Sequence, residues 1–257
     1  MARYLLNIEK PVSLLSGTSG PQEGFENIWA QLPQFERGSA WTFLPGDGGL
    51  FLKGQIEPFS LRPKLLTRRK RILRERIRLG WMQARGLPVP EVVAWGAEYK
   101  WGLPTRTFLL QRRVMNAPDL QHYLSDVERV KNSNIKVLQE LGHSVRQLHG
   151  AGLAHRDLYL RNILVAVRSG RQQLIFIDCP RAERRRYWPR AGFLRRADLY
   201  SVARDALKHG VSLQEIETFL QAAGETNPQP VIEHAQRAYQ LGQARPLRSN
   251  IWLMFGI

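Results

Sequence analysis

Between residues 137 and 149 the apolar positions Leu138, Leu141, Val145 and Leu148 recur at the spacing of one helix face, and Gly150 and Gly152 stop the run. This predicts an amphipathic helix with a buried stripe. Residues 64–85 read as a longer helix with two stripes, one through Leu66, Leu73, Ile77, Trp81 and Ala84, the other through Ile72, Leu79 and Met82. Glu75 stands in the second stripe, and a carboxylate among apolar residues needs a partner. Short strand-like runs at 34–37, 40–44 and 50–53, separated by turns at Gly38-Ser39 and at 45–49, predict three antiparallel strands. Residues 105–110 add another strand, after which 111–115 should cross between two lobes. Residues 163–167 and 174–177 flank a turn at 168–171 and read as a hairpin. Ser212 and Glu215 form a capping box that starts a helix through Phe219, ended by Gly224. One more helix is expected over 231–243. Residues 1–27 mix Gly, Ser and Pro with few apolar positions and read as an irregular arm or an edge piece. The apolar tail 251–255 is too short to span a bilayer and is expected to pack on the larger lobe.

The chemistry concentrates around that hairpin. The string HRDLYLRN places Asp157 five residues before Asn162, which opens the first strand, and Asp178 closes the second. Phosphoryl transfer needs a carboxylate that accepts the proton of the attacking hydroxyl, and hard oxygen ligands that hold Mg²⁺ against a triphosphate. Asp157 suits the first role. Asn162 and Asp178 suit the second, because the hairpin brings them to the same end.

This string resembles the catalytic loop and metal-binding segment of the protein-kinase-like superfamily. In finer detail it is similar to the lipopolysaccharide core kinases that act on heptose and Kdo. Asp178 is followed by Cys179-Pro180-Arg181-Ala182, similar to an I-D-x-x-R-A pattern, where protein kinases carry Phe-Gly. No A-P-E follows, and GLPVPEVVAWG, residues 86–96, is similar to the segment after the regulatory helix in that family. The resemblance covers residues 35–219. It implies an α+β, two-lobed protein-kinase-like fold, with a small antiparallel-sheet lobe and a mainly helical large lobe. The expected parts are an arm at 1–27, a nucleotide-binding lobe at 28–114 and a catalytic lobe at 115–257.

The resemblance also assigns roles. Lys53 takes the place of the strand lysine that holds the α- and β-phosphates of ATP, and Glu75 becomes its ion-pair partner. Gly38 and Ser39 stand where a loop covers the phosphates. Asp198, in ADLYSVA, takes backbone hydrogen bonds from the catalytic loop. His155 reads as a structural support for that loop, while His143 and His149 read as packing or capping residues.

Charge narrows the partners. The chain has 257 residues, 43% of them hydrophobic, enough for a sizeable core in one or two lobes. It carries 38 Lys and Arg against 22 Asp and Glu, a net charge of +16. Such a protein is drawn to polyanions: an anionic membrane surface, a phosphorylated glycolipid or nucleic acid. Seven of the cations, Arg68, Arg69, Lys70, Arg71, Arg74, Arg76 and Arg78, are expected to coat the solvent side of the 64–85 helix. Arg181, Arg184, Arg185 and Arg186, interleaved with Tyr187 and Trp188, are expected to grip phosphate or carboxylate groups and stack on sugar rings. The single Cys179 excludes an internal disulfide framework, and neither a signal peptide nor a membrane span is visible.

The expectation is an ATP- and Mg²⁺-dependent kinase for a heptose or Kdo hydroxyl of the lipopolysaccharide core and lipid A glycolipid, peripheral at the cytoplasmic face of the inner membrane. The alternatives are a kinase for protein or another small molecule, and a pseudokinase or basic RNA-binding scaffold. Nucleic acid is the lesser partner.

Overall fold

The computed structural model describes residues 2–11, 13–44, 49–56, 71–125, 131–168, 171–184 and 190–241. The chain divides into two compact units, one of residues 1–84 and 89–116, the other of residues 85–88 and 117–257. The expected α+β class, with a small antiparallel sheet and a mainly helical remainder, is what these units show.

The smaller unit is a five-stranded antiparallel sheet in the order β1-β4-β5-β3-β2, formed by β1 (Arg3–Ile8), β2 (Gly38–Leu44), β3 (Leu50–Ile56), β4 (Val92–Lys100) and β5 (Leu103–Arg112). Alternation decides what faces the core. Along β3, Leu50 and Leu52 are buried while Phe51 and Lys53 lie half-buried on the opposite side. Helix α1 (Pro21–Trp29) covers the Leu50–Leu52 side with Phe25 and Ile28, which are 0% exposed and pack with Phe108 and Leu110 of β5. Each such side chain contributes about 1.5–3 kcal/mol. Residues 1–27 therefore belong to this unit rather than forming an arm: β1 is the edge strand on β4, and α1 closes the core. Arg106 ties these pieces together, donating from Nε to Glu98 at 2.7 Å and from Nη1 to Glu26 at 3.0 Å, with its guanidinium over the Phe25 and Trp29 rings. Burial works against its charge, but the hydrogen bonds to Glu26 and Glu98 outweigh this and raise its pKa.

One expected strand does not form. Residues 34–37 have no regular structure, and Gly38 and Ser39 open β2, opposite Ile56 and Gln55, instead of turning between two strands. Gly38 has φ +84, so the chain enters β2 through a left-handed step that favours glycine. Most of the 45–49 turn lies outside the described residues. So do residues 64–70 of the expected long helix, which is seen as α2 (Arg71–Gln83).

The larger unit packs α3 (Leu120–Ser125), α4 (Lys131–Gly150), α5 (Arg190–Lys208), α6 (Leu213–Ala222) and α7 (Gln229–Gln240) with a short ladder of β6 (Leu153–Ala154) on β9 (Glu183–Arg184) and the hairpin β7 (Ile163–Arg168)–β8 (Arg171–Phe176). The stripe of α4 is buried as expected, with Leu138, Leu141, Val145 and Leu148 at most 1% exposed. At Gly142 a Cβ would lie 2.5 Å from the Phe219 carbonyl oxygen, so glycine permits the close packing of α4 on α6. The capping box at Ser212 is complete, its hydroxyl accepting from the Glu215 amide while the Glu215 carboxylate accepts from the Ser212 amide. The tail 251–255 lies outside the described residues.

Candidate active site

The turn from α4 into β7 carries HRDLYLRN, and buried groups fix its shape. Leu158 and Leu160 are 0% exposed and pin the loop, while the Asp157 side chain beside them keeps 18% exposure. Asp198 of α5, itself 0% exposed, accepts from the amides of His155 and Arg156, both at 2.7 Å, and lies 3.1 Å from Nε2 of His149. Arg156 has φ +65, a left-handed conformation unusual for a residue with a side chain, and those paired amides hold it there. Asp205, about two helical turns further along α5, accepts from the Leu160 amide at 2.9 Å. His155 is buried, and this holds its imidazole below the usual histidine range against the pull of Asp198 and Asp157. The neutral ring donates from Nε2 to the Ile177 carbonyl at 3.1 Å, tying the loop to the end of the hairpin.

The hairpin register, Ile163 opposite Phe176, sets Asn162 and Asp178 at the same end of it. The Ile177 amide donates to the Asn162 carbonyl at 3.0 Å, extending the pairing one step. The Asn162 amide nitrogen donates to the Asp157 carbonyl at 2.9 Å. That commits the nitrogen, so the amide oxygen is the atom of this side chain that suits a cation. Asp178 has φ +51 and is half-buried, directly after the strand. Two hard oxygen donors suit a magnesium-like ion whose remaining positions are filled by phosphate oxygens and water. Among the described residues no group of three or more His, Cys, Asp or Glu forms a closed cage.

Past Asp178 the chain makes a tight turn in which the Ala182 amide donates to the Cys179 carbonyl at 3.1 Å. Pro180 and Arg181 are its central residues, and Arg181 donates from Nη1 to Asp157 Oδ1 at 3.2 Å. Arg184 is exposed in β9, while Arg185, Arg186, Tyr187 and Trp188 lie outside the described residues.

In the smaller unit Lys53 Nζ donates to Glu75 Oε1 at 2.7 Å, with side-chain exposures of 20% and 2%. Glu75 sits with Ile72, Leu79 and Met82 on the buried face of α2. The lysine explains the carboxylate that interrupts this stripe. The arginines of α2 are less solvated than their number suggests, since the Arg76 guanidinium lies over Trp95 and that of Arg78 over Trp81. Arg68, Arg69 and Lys70 lie outside the described residues. On the Lys53 side of β2 and β3, Trp41 and Phe43 stand exposed against Phe51.

Sequence reasoning had no signal for the Arg181–Asp157 contact or for Asp205, because both join residues far apart in the chain. The alternation at Trp41 and Phe43 was legible and passed over.

The small sheet with a Lys–Glu pair and the Asp–Asn–Asp loop of the larger unit define a phosphotransferase of the protein-kinase-like class. The model of the lipopolysaccharide kinase (Kdo/WaaP) family matches residues 51–222, about two thirds of the chain, and the chain belongs to that family. It is therefore a kinase for sugar hydroxyls of the lipopolysaccharide core, and such a kinase uses ATP and a divalent metal. A solved structure of WaaP in complex with acyl carrier protein is similar in fold, with a TM-score of 0.70 over 92% of this chain and 98% of that one, at 19% identity. Solved structures with this fold are numerous, 1601 chains in all, so the fold by itself chooses no substrate. No curated protein sequence matches the chain. Among the described residues no helix is long and apolar enough to cross a membrane.

Proposed function

We propose that this kinase transfers the γ-phosphoryl group of ATP, with Mg²⁺, to a heptose or Kdo hydroxyl of the lipopolysaccharide inner core, at the cytoplasmic face of the inner membrane. The supporting observation is the loop held by Asp198 and Asp205, which offers Asp157 to solvent while Asn162 and Asp178 share one end of a hairpin. Asp157 orients the acceptor hydroxyl and takes its proton as the oxygen attacks phosphorus. The bond from phosphorus to the β–γ bridging oxygen breaks, and ADP leaves with that electron pair. Mg²⁺ would be held by Asn162 and Asp178 and would neutralise charge on the phosphates. Lys53 binds the α- and β-phosphates, and Glu75 fixes the lysine in place.

The smaller unit thus binds nucleotide and the larger carries the transfer. Arg184, Arg185 and Arg186 supply cations toward the anionic glycolipid, and the net charge of +16 favours an anionic membrane surface. Gly38 and Ser39 open β2 as paired strand residues, so phosphate cover would come from this strand end rather than from a turn between two strands.

The test is transfer of labelled γ-phosphate to purified, dephosphorylated core, beside a protein acceptor and the Asp157→Asn variant. Label on the core that falls by about 10²–10⁴-fold in the variant supports this reading. Label on the protein, or on neither acceptor despite ATP binding, overturns it.

A further inference from the structure

We infer that Arg181 masks Asp157 in the free enzyme and is drawn away by an anionic group on the acceptor, so that the base is released when the correct sugar arrives. This rests on the reading of Asp157 as the base.

The turn that carries Arg181 is fixed at both ends. Cys179 is 0% and Ala182 1% exposed, and their backbone hydrogen bond closes a turn whose second residue, Pro180, has a restricted φ. The same segment is stitched to the catalytic loop, since β9 pairs with β6 and Arg156 donates to Glu183 at 2.8 Å. The backbone is therefore held, and the side chain is the part that can move. Its contact with Asp157 is one Nη1–Oδ1 bond at 3.2 Å, and the arginine side chain is 57% exposed. A guanidinium has five donors, so one long bond uses little of its capacity. A single exposed pair of this kind is weak and exchanges readily. A carboxylate or phosphate on the acceptor offers two parallel hydrogen bonds instead, which are shorter and stronger.

The anion wins the exchange, and the Oδ1 of Asp157 that the arginine covered is opened to the acceptor hydroxyl. A neutral molecule cannot make that exchange. Water is the relevant case, because its attack on ATP forms the oxygen–phosphorus bond, breaks the bond to the β–γ bridging oxygen, releases ADP and sends one proton through Asp157 to solvent. While Arg181 holds the carboxylate, that wasteful route is slowed. The inferred ligand is thus an oxyanion beside the accepting hydroxyl, and Arg181 is the residue that senses it.

The experiment uses the full chain as wild type, Arg181→Ala and Arg181→Lys, with Mg²⁺ and γ-labelled ATP. Phosphate release is measured without acceptor, and transfer is measured to three cores: dephosphorylated, phosphate-bearing, and dephosphorylated with its sugar carboxylates reduced to alcohols. In Arg181→Ala, hydrolysis should rise about two- to fivefold, the weight of one exposed ion pair. Transfer kcat/KM to the preferred core should fall at least about tenfold, mainly through KM, as a charge-assisted pair is lost. The wild-type preference among cores should vanish with it. Arg181→Lys should retain low hydrolysis and lose part of the preference. Whichever anion the wild type prefers identifies the group sensed. Unchanged or lower hydrolysis in Arg181→Ala with the preference retained overturns the inference, as does a wild type indifferent to both anions. Should the wild type label no core at all, the proposed function fails, while the hydrolysis comparison still decides whether Arg181 is a mask.

Discussion

Two aspartates at the same loop, one in it and one in the helix beneath it, differ in what their surroundings leave them able to do. Asp198 is fully buried, and its oxygens accept two backbone amides and face a histidine. Asp157 keeps 18% of its side chain exposed and makes one long bond to an exposed arginine. A carboxylate buried against the backbone amides it holds is out of a substrate's reach. One held by a single exchangeable cation is not.

The largest stability effect should therefore fall on the residue without a chemical role. Asp198→Ala takes the acceptor from the buried His155 amide, at about 1–3 kcal/mol, and from the part-buried Arg156 amide, at less, so the cost should reach about 2–4 kcal/mol. Asp198→Asn retains one acceptor and should lose roughly half as much. Asp157→Asn should lower transfer by about 10²–10⁴-fold but, Asp157 being partly exposed, should stay within about 0.5 kcal/mol of wild type in stability. Denaturant unfolding of the three variants separates the roles, and a stable Asp198→Ala would erase the contrast.

The Lys53–Glu75 pair lies between these extremes. Removing one member of a buried ion pair costs up to about 3–5 kcal/mol, and the 20% exposure of the lysine side chain should place Lys53→Met below that ceiling. The double variant Lys53→Met with Glu75→Leu removes the carboxylate with its lysine and extends the apolar stripe of Ile72, Leu79 and Met82. It should recover most of the lost stability and none of the ATP affinity. Melting and nucleotide titration of both variants test this. Recovered nucleotide binding in the double variant would make the pair purely structural.

What the sequence disclosed follows the same division. The grouping of Asp157, Asn162 and Asp178 was legible because a short loop and a hairpin bring residues at that spacing to one end, and Glu75 was legible because a charge on an apolar stripe needs a partner. The buried stripe of α4 and the Ser212 cap came from local periodicity and local hydrogen bonding. Residues 1–27 hid their structure because β1 finds its partner in β4, about ninety residues later, and α1 buries only Gly24, Phe25 and Ile28. The run at 34–37 carried strand-like text but pairs with nothing among the described residues. The contact of Arg181 with Asp157 spans 24 positions, and the β6–β9 ladder that sets it up has two residues on each side. Sequence pattern is silent on such short, distant pairings.

The smallest effect is a pH slope that distinguishes the buried wall of the loop from its solvent side. His155 is held neutral in the folded protein by burial, which outweighs the opposing pull of Asp198, Asp157 and Asp178. An unfolded histidine titrates near pH 6.5, roughly. Above that pH neither state binds the proton, and the stability associated with the neutral ring is fully present. As pH falls below it the unfolded chain takes up a proton that the folded loop refuses. Stability should then drop by up to about 1.4 kcal/mol per pH unit until the folded ring also titrates. His234, lowered by burial and by Arg237, adds a slope of the same sign. Thermal melts from pH 8 to 5.5 on wild type, His155→Gln and His234→Gln assign each share. His155→Gln should melt lower at pH 8, having lost the bond to Ile177, yet lose less on acidification. An unchanged slope in that variant would mean that the loop accepts the proton, and that burial is not what keeps His155 neutral.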